Sequence, residues 1–139
     1  MARVFSLIGL LRLRHAQQGQ AAATLADANE RLREASDRRM AARRTLDDGP
    51  VEVSDAAMLS AIAASRASTR GMLSELDAVA ERRRGEADEA QRAFNDARRA
   101  ALALEKLEAQ HAATTAADDL RAEQTVLDEI ASQSRGGAT

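Results

Sequence analysis

A chain of 139 residues with net charge −2 and no cysteine has one-domain length and offers neither a disulfide framework nor thiol chemistry. Two Phe, no Trp and no Tyr leave little bulk to bury, and Leu, Ile, Val and Phe together fall just under the roughly 20% at which disorder becomes a concern. The near-balanced charge argues against disorder, and abundant Ala, Leu, Glu, Arg and Gln favour long helices joined by a thin seam.

The opening MARVFSLIGLLRLRHA has a short apolar run followed at once by Arg12 and Arg14, with no small-residue cleavage site before Ala16. It fits neither a secretory leader nor the roughly 20 apolar residues of a membrane span, and reads as the start of a soluble helix. Phe5, Leu7, Ile8 and Leu11 alternate with Arg3, Arg12 and Arg14, as in a membrane-surface helix. Packing in a helix seam accounts for the same apolar residues and is preferred.

Residues 1–46 carry a seven-residue beat. One row is Val4, Leu11, Gln18, Leu25, Leu32, Arg39 and Leu46; the other is Leu7, Arg14, Ala21, Ala28, Ala35 and Ala42. Most are apolar, and the polar exceptions are long enough to snorkel outwards. Residues 47–53 then form a turn around DDGP, where Gly49 suits a left-handed helix cap and Pro50 cannot continue the helix. Ser54 is the expected N-cap of the second helix, with Asp55 in its first turn and Val53 against Met58 as a staple.

The second pattern runs over 54–132. Its rows are Leu59, Arg66, Leu73, Ala80, Ala87, Phe94, Ala101 and Ile62, Thr69, Leu76, Arg83, Ala90, Ala97, Leu104. The beat blurs near Thr114 and Thr115 and resumes at Leu120, Leu127 and Ile130; residues 133–139 form a disordered tail. The predicted fold is all-α: two long helices in an antiparallel coiled-coil hairpin with a C-terminal helical overhang.

A turn centred on Pro50 places residue i opposite about 100 − i, pairing Leu25 with Leu76, Met40 with Leu59 and Ile62, and Leu7 with Phe94. At 1.5 Å per residue the arms would measure about 65 and 115 Å. The overhang from Leu102 onward would leave Leu104, Leu107, Leu120, Leu127 and Ile130 bare, unless the chain folds back after Thr115. Residues 1–46 carry 9 Arg against 4 acids, whereas 47–139 carry 11 Lys or Arg against 18 acids.

No Gly-rich phosphate loop, Cys nucleophile or metal cluster stands out, so no enzyme activity, cofactor or small-molecule substrate is expected. The hairpin would face His15 toward Gly85, away from His111. Glu108 and His111 have Glu-x-x-His spacing, but di-iron bundles need two such motifs. The Arg clusters at 38–39, 43–44, 82–84 and 98–99 are interleaved with acids and lack stacking aromatics. They read as a salt-bridged helix face, without a nucleic acid partner.

FSLIGLLRLR at the start, and ALEKLEAQH followed by RAEQTVLDEIA near the end, resemble the FliJ family of flagellar export proteins over nearly the whole chain. The resemblance implies a non-catalytic coiled-coil stalk of the flagellar type III export apparatus, serving flagellum biogenesis and motility. It would be cytoplasmic, peripherally associated with the membrane at the flagellar base. Its implied partners are the hexameric export ATPase, the membrane-embedded export gate and export chaperones. Residues assigned to the ring are Arg3, Arg12, Arg14, Glu105, Lys106, Glu108, Leu120, Leu127, Asp128 and Glu129; Met40, Leu46, Met58 and Leu59 are assigned to the gate. The region near the turn is richer in Ala and Arg than the family pattern. Two alternatives remain: the stalk of a virulence-type secretion system, and a self-associating coiled-coil scaffold, including a homodimer.

Overall fold

The computed structural model describes residues 2–49 and 52–137, with side chains from Leu7 onward; Pro50 lies outside them. Two helices account for nearly all of this: α1, Ala2–Asp47, and α2, Ala56–Gly136. No strand occurs among the described residues. The chain is all-α, with two long helices packed on each other. It divides into two units by contact, residues 16–97 and residues 1–15 with 98–139.

The link between the helices differs from the expected turn in two details. No described glycine has a positive φ, so Gly49 is not a left-handed cap; α1 instead closes with the Asp48 amide donating to the Arg44 carbonyl at 2.9 Å. The cap of α2 is Asp55 and not Ser54. Its carboxylate Oδ1 accepts the Met58 amide at 2.7 Å, and its carbonyl accepts the Leu59 amide at 3.1 Å. An ionised cap adds charge to the capping hydrogen bond where the helix dipole favours an anion, so the carboxylate outcompetes the hydroxyl beside it. The Ser54 hydroxyl turns to the Met58 sulfur at 3.1 Å.

Within residues 16–97 the helices are antiparallel, and both predicted rows face the partner. In α1 every described member of the two rows is buried or half-buried, and Ser36 is the one residue off the rows that is not exposed. In α2 the rows hold from Ile62 to Leu104, while Leu59 and Arg66 are exposed. The predicted register does not hold. Arg39 reaches Asp77 at 3.7 Å, which puts residue i opposite about 116 − i. Ala28 clusters with Ala87 and Ala90, between Leu25 and Leu32. A Cβ on Gly49 would lie 3.8 Å from the Arg66 guanidinium, where the tight turn had called for a residue near Val51.

The cause is the length of the link. Residues 48–55 are too many for a tight reversal, so α2 begins beyond the end of α1. Its first turn and a half, Ala56–Ala61, is exposed, and Ile62 is the first half-buried residue. Leu25 therefore packs with Ala87 and Ala90 rather than Leu76, and Met40 is exposed rather than paired with Leu59 and Ile62.

Among the described residues the buried set consists wholly of alanine: Ala28, Ala35, Ala42, Ala80, Ala87, Ala90 and Ala101. Each methyl contributes about 0.8 kcal/mol, against about 1.5–3 kcal/mol for a buried Leu. Stability thus depends on many small contacts kept in step. Replacing Ala87 by Leu should lower stability by about 1–3 kcal/mol, because the facing alanines leave no room for the extra volume. Leu at exposed Ala22 serves as the control, and urea unfolding followed by circular dichroism reads both.

Gly71 and Gly85 lie inside α2 with nothing within 4 Å of a built Cβ. They contribute no close approach and only weaken the helix. Gly71→Ala with Gly85→Ala should raise stability by about 1–2 kcal/mol in total, seen as a higher melting temperature with unchanged helicity.

Candidate functional site

Exposed apolar groups occur in both units. In the unit of residues 16–97, the projecting start of α2 and the end of α1 frame an open cleft of about 360 Å³. Leu46 and Thr45 line it from α1; Met58, Ile62, Arg66 and Thr69 line it from α2. Four residues were assigned to an export gate. Leu46 is half-buried in this cleft and Met58 is at its edge. Leu59 is 56% exposed next to Met58, and Met40 is 52% exposed on α1, outside the cleft lining.

Charge on this unit is largely settled within each helix. Asp27 pairs with Arg31, Glu30 with Arg33, Glu81 with Arg84, and Glu86 with Arg83. The Glu30 carboxylate, accepting a 2.7 Å hydrogen bond from Arg33, raises that guanidinium's pKa further. These pairs at three- and four-residue spacing hold long side chains flat along the helix, and at the surface each adds little to stability.

In the unit of residues 1–15 and 98–139, the start of α1 lies along the middle of α2. His15 Nε2 and Glu105 Oε1 are 2.7 Å apart, so His15 faces Glu105 and not the neighbourhood of Gly85. Ala101 is the most buried of the described residues at 1% exposure. A second open cleft, of about 370 Å³, lies between Ile8 and the turn of α2 bearing His111, Ala112 and Thr115. His111 thus lies beside α1, with Glu108 half-buried one turn before it. Among the described residues no group of three or more acids and histidines gathers to hold a metal ion.

The register moves the start of the overhang. His15 opposite Glu105 brings Ile8 to Ala112, and Glu108 is the last residue of α2 before Ala131 that is not exposed. Leu104 is accordingly half-buried, where the shorter register had left it bare. From Leu120 to Gly136, α2 continues as helix, which rules out a fold-back after Thr115. Every residue of that stretch except Ala131 is exposed.

The residues assigned to an ATPase ring are thereby sorted. Glu105 is engaged by His15, and Glu108 and Arg14 are half-buried in the helix pair. Arg12 and Lys106 are exposed on its flanks. Leu120, Leu127, Asp128 and Glu129 share the uncovered end. The Arg3 side chain lies outside the described residues.

Sequence reading missed the phase of the terminal stripe and two leucines on the other helix. Continuing the α2 rows past Leu104 leads through Thr115, Ala122 and Glu129, and through Asp118, Thr125 and Ser132. Leu120, Leu127 and Ile130, with Glu123 among them, lie two positions earlier, turned about 200° around the helix. Leu10 and Leu13, which lie off the α1 rows, are 40% and 53% exposed. Both features were readable from row membership, because a large apolar residue off the seam has nothing in the hairpin to cover it.

No helix among the described residues is long and apolar enough to cross a membrane. No family model, curated protein or solved structure matches the chain.

The register can be checked in this cysteine-free background. A short bifunctional thiol reagent should join Arg39→Cys to Asp77→Cys within one molecule. It should fail to join Arg39→Cys to Ala61→Cys, the pair opposed in the 100 − i register and about 24 Å away along α2. Gel mobility after crosslinking reads the result.

Proposed function

We propose that the chain is a non-enzymatic coiled-coil stalk of a bacterial type III protein export apparatus, of the flagellar kind. In this reading it links a ring-shaped export ATPase to a membrane export gate at the cytoplasmic face and handles export chaperones. The observation that carries the proposal is the uncovered end of α2, a helix held at its base by α1 and bearing Leu120, Val126, Leu127 and Ile130 between 55% and 66% exposed. A stalk needs that combination: a stiff pair that resists bending, and a projecting apolar end for a ring to grip. The gate would meet the other apolar surface, the cleft at Leu46 and Met58 with Leu59 beside it.

The resemblance of FSLIGLLRLR and of ALEKLEAQH with RAEQTVLDEIA to FliJ proteins supports the flagellar assignment over a virulence-type stalk. A role confined to scaffolding would require the same surfaces to be satisfied without an ATPase.

The purified chain should accelerate hydrolysis by the export ATPase of its own host while hydrolysing no ATP itself. Truncation after Asp119 removes the terminal leucines and keeps the turns of α2 that meet His15 and Ile8. It should abolish the acceleration and leave residues 1–119 helical by circular dichroism. Acceleration by the truncated chain equal to that of the full chain would remove the terminal stripe from the ring contact.

A further inference from the structure

We propose that the outer face of α2 from Leu102 to Ile130 is a second coiled-coil seam, through which two copies of this chain dimerise with their α2 helices antiparallel. The proposal concerns the free chain and does not rest on the export reading.

The terminal stripe is the last part of a longer row. From Ile130, steps of three and four residues in alternation reach Leu127, Glu123 and Leu120. The same steps continue through Ala116, Ala113 and Ala109 to Lys106 and Leu102. This is the three-four spacing of a coiled-coil row, held over about 42 Å of helix. Every member is exposed. Each precedes by two residues a position in the rows that face α1 or in their continuation, as Leu102 precedes Leu104 and Lys106 precedes Glu108. The row therefore lies about 200° around the helix from that seam. Its leucines set among alanines repeat the make-up of the first seam, where Leu25 and Leu32 pack around Ala28, Ala87 and Ala90.

Two charges stand in the row, and they identify the occupant. Lys106 is the chain's single lysine, and neither it nor Glu123 has an oppositely charged residue three or four places away. Neither has an ion-pair partner among the described residues. Within one helix they are about 25 Å apart and cannot meet. In a second copy lying antiparallel, with residue i facing 229 − i, they meet twice, on either side of a twofold axis between Thr114 and Thr115. The same register sets Leu102 against Leu127, Ala109 against Leu120 and Ala113 against Ala116, so large side chains do not compete for space at the centre. Ile130 falls opposite Arg99, whose long stem is apolar. Other arrangements fail on the charges. A parallel pair would oppose like to like, Lys106 to Lys106 and Glu123 to Glu123. Sliding the antiparallel pair by one heptad sets Lys106 against Ala116 or Ile130, and a charge buried without its counterpart is strongly destabilising.

The lone lysine makes the test direct. A carbodiimide joins an amine to a carboxylate without a spacer. On the full chain it should give a covalent dimer in which mass spectrometry finds Lys106 linked to Glu123. Sedimentation equilibrium without ATPase should show a concentration-dependent dimer. Lys106→Glu and Glu123→Lys should each weaken it at least about tenfold, and the two changes combined in one chain should restore it. Leu127→Asp should abolish it, with helicity by circular dichroism unchanged in every variant. A chain that stays monomeric up to about 1 mM overturns the proposal and reserves the row for another protein. A dimer whose crosslinks exclude the Lys106–Glu123 pair overturns it too, and so does a combined variant as weak as its parents. Absence of ATPase acceleration with the dimer intact would refute the export reading alone.

Discussion

The rest of the structure depends on how closely two alanine-lined helix faces approach. With Ala28 set among Ala87 and Ala90, and no larger side chain fully buried among the described residues, the backbones are held together by many methyl contacts. Such an interface has little area per residue, so it must be long to be stable, and the helices must stay in register over many turns. Helix former after helix former, with glycines few and proline confined to the link, meets that requirement. Charges that would unsettle a thin seam are taken up along each helix by pairs such as Glu30–Arg33, or lie across its edge as in Arg39–Asp77.

The same thinness explains which parts of the fold were legible beforehand. Seam membership was readable because burial in a two-helix contact follows the seven-residue beat, and every described row position of α1 obeys it. Register was not readable. A heptad pattern slid by about two heptads keeps the same faces in contact, so both 100 − i and 116 − i keep almost the same residues inside. Large side chains normally break this degeneracy by fitting only one set of holes; a row running Ala21, Ala28, Ala35, Ala42 fits nearly any. The choice passed to the link, whose eight residues let α2 start beyond α1. The cap moved from Ser54 to Asp55 for a similarly local reason, two good cap residues standing side by side.

The register also redistributes the surfaces. Sliding α2 outward past the end of α1 at the link bares Met58 and Leu59 there. In the other unit His15 meets Glu105 and Ile8 lies beside Ala112, which shortens the uncovered end. Half of the residues expected at a ring contact from sequence order, Glu105, Glu108 and Arg14 among them, therefore belong to the helix pair or its edge. Leu120, Leu127, Asp128 and Glu129 remain together because all are exposed beyond the turns of α2 that meet His15 and Ile8. Which residues share a surface here is decided by an offset of about two heptads, a quantity set by link length and not by any residue in the surface itself.

The uncovered end has a physical property that follows from being part of a longer helix. Alone, a segment of the length of Leu120–Gly136 would be marginally helical in water, because the first turn is costly to nucleate. Continuous with α2, it needs no nucleus: the turns held by α1 supply one, and the end propagates from Asp119 outward. A partner meeting Leu120, Leu127 and Ile130 finds them already spaced on one face and has little chain left to order, so more of the contact appears as affinity. Preorganisation of this kind requires the covered part of α2 to be stable, which returns to the alanine contacts around Ala101. The weakest-looking core is thus what keeps the most exposed surface in shape.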